Sequence, residues 1–312
     1  MLFRLRRAVQ FRRARPDFAR ILKTPPLAGS DDGAVVFSQL QHKDVLTYLV
    51  AAKSFAHRTG YGRFVLLDDG SLTAEDRALL RQHLPQIEFR TMSEVHYGTL
   101  PVGGTWERLI TICDLAVTDF VIQLDADTVT CGPLDEVKAS VARGHSFTLM
   151  AGHTAEMLPV ARIAELASTV HRDHHIQIVA EGLLGQLDPS IATRYGCGCS
   201  GFAGFAPDPQ RRMALEQFSV RMEELLGPRW REWGTEQVSS NFLVARDPNG
   251  ILLPYRRYRN FGGEALTDAA VFVHFFGTFR YDEGTYRRMA RELAARLNAD
   301  EQTLSVPRLA AE

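Results

Sequence analysis

The chain has 312 residues, of which 45% are hydrophobic and 23% charged, values that are typical of a soluble globular domain. Its 36 basic and 37 acidic residues nearly balance, which argues against nucleic acid as a partner. Four cysteines in so long a chain do not form a disulfide framework, so we expect a reducing compartment.

The first 30 residues are expected to form a basic segment apart from the folded domain. Residues 1–23 contain eight basic side chains and a single acid, and the prolines at 25 and 26 end the segment. Apolar residues between the arginines favour weak contact with an anionic membrane surface, and an organelle transit peptide or a solvated tail are the alternatives. We expect one domain at residues 31–300, a C-terminal tail at 301–312, and a cytoplasmic protein with peripheral contact to the inner face of a membrane.

From residue 34 onward, apolar strands and amphipathic helices alternate. The sequence predicts strands at 34–37, 64–67, 87–89 and 120–124, with helices between them at 44–57, 73–83 and 106–116. This alternation predicts an α/β fold with an open, mostly parallel twisted sheet flanked by helices. The second half is less regular, with predicted elements at 151–195 (helical or loop-like), 201–206 (a strand interrupted by glycine), 209–226 (helix), 270–273 (strand) and 283–297 (helix).

Two aspartates, Asp125 and Asp127, come directly after the strand at 120–124. Ligands of open α/β sheets collect at the carboxyl ends of the strands, and residues two apart in an extended chain point to the same side. Both carboxylates can therefore face one hard cation such as Mg²⁺ or Mn²⁺, which takes oxygen ligands and substrate phosphates. An Asp-x-Asp triplet arises by chance about once in a chain this long, so two solvated turn aspartates are the alternative.

Further short motifs flank the pair in order along the chain. They are Trp106-Glu107-Arg108-Leu109, Gly132-Pro133-Leu134, Cys199-Ser200-Gly201-Phe202, Glu236-Gln237, and the segment from His274 to Arg280. This ordered set resembles the core of family 8 glycosyltransferases over roughly residues 34–282. The resemblance implies a GT-A type fold with a helical or loop insertion on the acceptor side. It also implies metal-dependent transfer of a sugar, with retention, from a nucleotide-diphosphate donor such as a UDP-sugar to a glycan, lipid or small-molecule acceptor.

The resemblance implies a ligand set for the metal and for the donor. Asp125, Asp127 and His274 would bind Mn²⁺ or Mg²⁺, which bridges the diphosphate. The residues implied in donor binding are Arg108, Asp125, Asp127, Ser200, Gly201, Gly277 and Arg280. Arg280 would pair with the diphosphate through its planar, permanently charged guanidinium, and Gly277 would let the backbone approach the phosphates closely.

The resemblance also implies two catalytic residues in the second half of the chain. Glu236 and Gln237 stand where the family has Asp-Gln, and they would line the sugar pocket near the reacting carbon. The sequence departs from the family here, with glutamate in place of aspartate, and at Cys199, which replaces an asparagine.

Other functions stay open at this point. A non-catalytic protein of the same fold would bind a sugar nucleotide or a glycan without turnover, which the changes at Cys199 and Glu236 favour. A sugar nucleotidyltransferase needs a glycine-rich phosphate loop after the first strand, and residues 37–44 contain no glycine. A glycoside hydrolase is disfavoured, because aspartates two residues apart suit one ion better than opposite faces of a sugar.

Two further sets of side chains, three histidines and two tryptophans, have both a functional and a structural interpretation. His171, His174 and His175 would share one helix face, where we expect a solvated or acceptor-side cluster rather than a zinc site. Trp230 and Trp233 either stack on a sugar ring or pack in the core.

Overall fold

The computed structural model describes residues 2–28, 30, 33–151, 154–170, 175–277 and 279–305. The strands are β1 (Val35–Leu40), β2 (Arg63–Asp68), β3 (Glu88–Thr91), β4 (Val121–Leu124), β5 (Thr128–Thr130), β6 (Phe147–Met150), β7 (Leu158–Pro159), β8 (Arg194–Tyr195), β9 (Gly198–Phe205), β10 (Ile251–Leu253), β11 (Tyr258–Asn260) and β12 (Phe272–His274). The α-helices are α1 (Leu2–Phe18), α2 (Val45–Thr59), α3 (Ala74–His83), α4 (Trp106–Leu115), α5 (Asp135–Arg143), α6 (Val160–Ser168), α7 (Ile176–Leu183), α8 (Arg211–Leu226), α9 (Thr235–Arg246) and α10 (Thr285–Ser305).

Seven strands form one sheet in the order β10-β6-β9-β4-β1-β2-β3. β9 runs antiparallel to its neighbours β4 and β6, and the other pairs are parallel. The predicted open, mostly parallel α/β sheet is therefore confirmed. Each strand and helix predicted between residues 34 and 124 is present within a few residues of its expected bounds, and Thr73 caps α3 in a capping box with Asp76.

Helices cover both faces of this sheet because the strand side chains alternate between two hydrophobic cores. Val36 of β1 belongs to the core that packs against α2 and α10, whereas its neighbours Val35 and Phe37 belong to the core that packs against α4, α8 and α9. The result is a three-layer α/β/α arrangement in which the carboxyl ends of the parallel strands meet at one edge. The region 151–195, expected to be a helical or loop-like insertion, contains α6, α7 and the β7–β8 pair among its described residues.

A second, three-stranded sheet in the order β11-β12-β5 extends the end of β4. β5 begins directly after Asp127, and β12 pairs with it in antiparallel fashion so that His274 lies opposite Thr128. The predicted strand at 270–273 is displaced to Phe272–His274, which makes His274 the last strand residue. This register brings the late histidine next to the acidic pair.

The N-terminal helix packs against the C-terminal helix. Phe18 and Ile21 are buried in the same core as the sheet, and the Asp17 carboxylate accepts a hydrogen bond from Arg287 at 2.6 Å and lies 3.2 Å from Arg291. The basic composition of residues 1–23 did not indicate this packing. The domain boundaries at residues 30 and 300, and the membrane contact of the exposed basic side chains, stay predictions.

All four cysteines are free, in agreement with the expected lack of a disulfide framework. Among the helices that the structure describes, none is both long enough and apolar enough to cross a bilayer.

Replacing Phe18 with alanine tests how far the N-terminal helix belongs to the folded unit. Phe18 is 1% exposed, and its ring centroid lies 4.6 Å from that of Tyr286. Removing a buried phenylalanine ring costs about 3–5 kcal/mol, so we expect the free energy of unfolding in urea to fall by this amount in Phe18→Ala. Val9→Ala, at a position of α1 that is 41% exposed, should change it by less than about 0.5 kcal/mol. Equal stability of Phe18→Ala and wild type would mean that this helix contributes nothing to the core.

Candidate functional site

Three chain segments that are remote in sequence meet at the end of β4. The Asp125 N–H donates to the carbonyl of Gly201 on β9 at 2.9 Å, and the Phe275 N–H donates to the carbonyl of Asp127 at 2.8 Å. These two backbone bonds fix the acidic pair between β9 and the end of β12. The pair lies at the carboxyl end of a central strand, as the sequence predicted.

The His274 imidazole faces both aspartates. Its Nε2 lies 3.4 Å from Asp127 Oδ1 and 3.8 Å from Asp125 Oδ2, and one ligand atom from each of the three residues lies within 4.8 Å of the others. A Cβ on Gly201 would lie 2.3 Å from His274 Cε1, so a glycine at this position allows the imidazole to approach. The three residues predicted as metal ligands are brought together.

Asn260 orients this imidazole. Its side-chain amide donates from Nδ2 to the Met150 carbonyl at 2.9 Å, which leaves Oδ1 as the acceptor that lies 2.8 Å from His274 Nδ1. Burial disfavours a charged imidazole, but the neighbouring Cys199 and Asp127 raise the pKa of His274 well above its usual value, so Nε2 carries a proton towards Asp127 unless a cation replaces it. Asn260 keeps the other proton on Nδ1 in either case, which leaves Nε2 as the atom that a cation would bind. The sequence analysis did not identify Asn260, because only the pairing of β11 with β12 sets it beside His274.

Arg108 connects Asp125 to Glu236. Its guanidinium donates to Asp125 Oδ1 at 2.9 Å, to Glu236 Oε2 at 2.8 Å and to Ser200 Oγ at 2.8 Å. Burial raises the pKa of both carboxyl groups, and the charge of Arg108 opposes that rise. In this state Arg108, predicted to contact a donor, is held by protein acceptors.

Arg280 neutralises the second aspartate. Its guanidinium donates to Asp127 Oδ2 and to the Phe275 carbonyl, and it also lies 3.8 Å from Asp44 Oδ1. Burial alone would raise the pKa of Asp127, but the charges of Arg280 and His274 outweigh it and lower the pKa to about 2. Asp127 is therefore ionised at neutral pH and able to bind a cation.

A chain of side-chain amides runs from the cleft into the protein. Gln237 accepts from the Ser200 N–H at 3.3 Å and donates to Gln177 Oε1 at 2.7 Å. Gln177 in turn donates to the Glu181 carboxylate at 3.3 Å. The sequence analysis missed Gln177 and Glu181, which lie on α7 in a region without a recognisable motif. Glu236 Oε1 is buried and has no hydrogen-bond partner within the described part of the chain.

These residues line one cleft with two lobes that share Arg108, Asp125 and Asp127. The smaller lobe, of about 220 Å³, lies at the end of β1 and is also lined by Gln39, Leu40, Gln41, Asp44 and Asp69. The larger lobe, of about 530 Å³, contains the remaining predicted site residues, Ser200, Gly201, Glu236, Gln237, His274 and Gly277, and Arg280 lines both lobes. Gly277 has a φ of +62°, a conformation that favours glycine.

The two tryptophans considered from the sequence have different environments. Trp230 is fully buried and packs edge-on against Trp106, with ring centroids 5.8 Å apart, so the packing interpretation holds for it. Trp233 is 70% exposed and lines the larger lobe. His171 and His174 lie outside the described residues, and His175 precedes α7 and accepts from the Gln177 N–H.

No protein-family model matches the sequence, and no curated protein matches it either. Among solved structures, the glycosyltransferase GlyE of Streptococcus pneumoniae TIGR4 aligns with a TM-score of 0.53 at 11% identity, over 89% of this chain and 66% of that one. The apo WbbM bifunctional glycosyltransferase aligns with a TM-score of 0.50 at 12% identity, over 86% of this chain and 53% of that one. An active-site mutant of LgtC aligns with a TM-score of 0.50 at 13% identity, over 84% of this chain and 95% of that one.

These similarities show that the chain has the GT-A fold of glycosyltransferases, as the ordered motifs implied. The chain spans about half of the length of WbbM and just under two thirds of that of GlyE. Family 8 in particular stays a resemblance.

The buried Glu181 should give the protein a stability that falls as the pH rises. Burial raises the pKa of Glu181 to about 7, against the hydrogen bonds of Gln177 and Tyr195, from an ordinary value of 4.5. The folded state therefore binds more protons than the unfolded state between these two values.

We expect this group alone to lower the free energy of unfolding by about 3 kcal/mol between pH 4.5 and pH 7. Glu181→Gln cannot ionise, so urea denaturation at a series of pH values should show that this part of the pH dependence is absent. Glu165→Gln, on the exposed surface of α6, is the matched control and should keep the wild-type profile. A wild-type profile in Glu181→Gln would contradict the raised pKa.

Proposed function

We propose that this protein is a metal-dependent glycosyltransferase that moves a sugar from a nucleotide-diphosphate donor, a UDP-sugar, to an acceptor hydroxyl with retention of the anomeric configuration. The observation that carries the proposal is the convergence of Asp125, Asp127 and His274 at the junction of two lobes. The GT-A fold supports it.

The residues at the junction fit a divalent cation. Two carboxylates and a neutral imidazole suit Mn²⁺, and the predominance of oxygen ligands also admits Mg²⁺. The space for the imidazole beside Gly201 and the hydrogen bond of Asn260 that orients it support a ligand role for His274. When bound, the cation would polarise the diphosphate and stabilise the negative charge of the leaving nucleotide.

Arg280 is the residue that we assign to the diphosphate. In the absence of ligands it forms an ion pair with Asp127 inside the cleft. When Asp127 turns to a cation, the guanidinium loses this partner, and the oxygens of a diphosphate are the acceptors that best match its planar set of donors. Arg280 would therefore exchange the Asp127 carboxylate for the diphosphate as its partner, and its buried charge would stay paired.

The two lobes divide the donor between them. We assign the nucleoside to the smaller lobe at the end of β1, lined by Gln39 and Gln41, and the sugar to the larger lobe beside Glu236 and Gln237. In the transfer, the bond from the anomeric carbon to the diphosphate breaks with its electron pair on the diphosphate. The acceptor oxygen forms the new bond to that carbon, and its proton passes to the leaving diphosphate. The buried carboxylate of Glu236 would stabilise the positive charge that develops on the sugar.

A non-catalytic protein that binds a sugar nucleotide is the second candidate. The specific observation in its favour is that Arg108 and Arg280 already neutralise Asp125 and Asp127. Thermal-shift measurements with nucleotide sugars and Mn²⁺ or Mg²⁺ detect binding in either case, whereas release of the nucleotide diphosphate occurs in the enzyme alone. Binding of UDP-sugars without release would support the second candidate over the first.

Asp127→Asn tests the metal assignment in the cleft. The amide keeps the size of the side chain but loses the charge that a divalent cation requires, so we expect release of UDP from a UDP-sugar with Mn²⁺ to fall by at least about 100-fold. Circular dichroism and thermal unfolding check that the variant is folded. Asp268→Asn removes an exposed aspartate outside the cleft and should keep wild-type activity. Wild-type turnover in Asp127→Asn would refute the assignment.

Asn260→Ala tests the orientation of the imidazole. Without this acceptor, only the Cys199 Sγ, at 3.6 Å from Nδ1, remains beside the ring on that side, and loss of such a partner weakens metal binding by about 10–100-fold. Titration of Mn²⁺ by calorimetry measures this in the absence of any donor. Asn249→Ala, in an exposed turn, is the control. Unchanged Mn²⁺ affinity in Asn260→Ala would show that this hydrogen bond has no part in the site.

A further inference from the structure

Trp233 differs from the other two tryptophans of the chain. Trp106 and Trp230 are 1% and 0% exposed, whereas Trp233 is 70% exposed. A tryptophan side chain is usually buried over most of its surface, so an indole held in water calls for a ligand or partner that covers it. Its place is the wall of the larger lobe, in front of α9.

The position of the indole is set by its neighbours. The His175 ring meets it edge to face, with ring centroids 5.8 Å apart and an interplanar angle of 87°. The next residue, Gly234, has a φ of +111°, and a Cβ there would lie 2.9 Å from His175 Cε1. A Cβ on Gly104, from the loop before α4, would lie 3.9 Å from the Trp233 Cα. Trp233 is therefore an exposed ring on a packed backbone.

The groups around the ring favour a sugar as the molecule that covers it. The amides of Gln177 and Gln237 line the same lobe and are hydrogen-bonded to each other at 2.7 Å, and the unpartnered Oε1 of Glu236 is buried nearby on α9. A pyranose has an apolar face of C–H groups that matches an aromatic ring and equatorial hydroxyls that match planar amides and carboxylates. An acyl chain cannot form hydrogen bonds with these polar groups, so a bound lipid would leave them removed from water and without partners.

We propose that Trp233 is the stacking platform for the acceptor, and that the acceptor is a saccharide whose terminal ring packs on the indole with its hydroxyls towards Gln177 and Gln237. That the bound saccharide is an acceptor rests on the proposed function. The binding of a sugar to this ring does not depend on it and needs no donor. The proposal identifies the acceptor class as a glycan, against a lipid or a peptide.

Tryptophan fluorescence reports this ring directly, because Trp233 is the exposed one of the three tryptophans. Lactose, cellobiose and maltose are titrated into the full chain without donor, and a glycan array extends the set of saccharides. We expect a saturable shift of the emission to shorter wavelength in the wild type and none in Trp233→Ala. Val102→Ala, at a 68% exposed position that does not line the lobe, should respond as the wild type does.

Kinetics supply the second readout. With a UDP-sugar donor and a saccharide found in the first experiment, Trp233→Ala should raise the KM for the saccharide by about tenfold with a smaller change in kcat, since stacking contributes to binding. Trp233→Phe should recover most of the loss.

Several results would overturn the proposal. In the fluorescence titration, these results are a response to 1-octanol or to a serine- and threonine-rich peptide without a response to any saccharide, and the lack of a response to all of these ligands. In the kinetics, the result is an unchanged KM for the saccharide in Trp233→Ala. Failure of the proposed function is a separate result, in which the wild type releases no UDP from any donor. In that case the fluorescence titration still decides whether Trp233 binds a sugar.

Discussion

The site depends on the close approach of His274 to Gly201. Two backbone hydrogen bonds join the end of β4 to β9 and to the end of β12, and the imidazole then occupies the space that any Cβ on Gly201 would fill. Asp125 and Asp127 lie in the three-residue turn between the paired strands β4 and β5, and His274 is the last residue of β12, so paired strands flank all three candidate ligands. A site of this kind holds its geometry before a ligand arrives, which lowers the cost of binding.

The carboxylates of the site are buried, and they therefore need positively charged partners. Asp127 and Glu236 are 6% and 2% exposed, and an ionised carboxylate removed from water must be paired. Arg280 and Arg108 supply these charges, and Arg108 spans Asp125 and Glu236 at once. The arginines therefore neutralise the buried carboxylates. On binding, a cation would take the place of the arginines beside the aspartates, and a diphosphate would take the place of Asp127 beside Arg280. Neutralisation by the chain's own arginines and a role in ligand binding are compatible on this view.

The sequence predicted the part of the site that lies next to regular strands. Asp125 and Asp127 follow an apolar strand, so hydrophobic periodicity and residue type located them, whereas His274 was assigned from the resemblance of the ordered motifs to a known family. Asn260 and Gln177 were not identified as site residues from the sequence. Their roles depend on strand register and on helix orientation, which no local pattern encodes. The packing of Phe18 escaped for a related reason, since its partner Tyr286 lies at the far end of the chain. The antiparallel direction of β9 could not be predicted either, because the residues of a strand do not encode the direction in which it pairs.

The helices α4 and α9 connect the proposed donor side of the cleft to the proposed acceptor side. The Trp106 indole donates to Thr235 Oγ1 at 3.1 Å, which joins the first turns of the two helices. Those turns carry Arg108 and Glu236, and the residue before α4, Thr105, has a φ of +74°, the one positive value among the described residues other than glycine. A strained residue persists where the surrounding packing fixes it, and such residues are common at ligand sites. Trp233 precedes α9 by two residues, so the indole and Glu236 belong to one stretch of backbone. The hydrogen bond from Arg108 to Glu236 connects this stretch to α4, so the residues proposed for the donor and for the acceptor are joined through the packing of two helices.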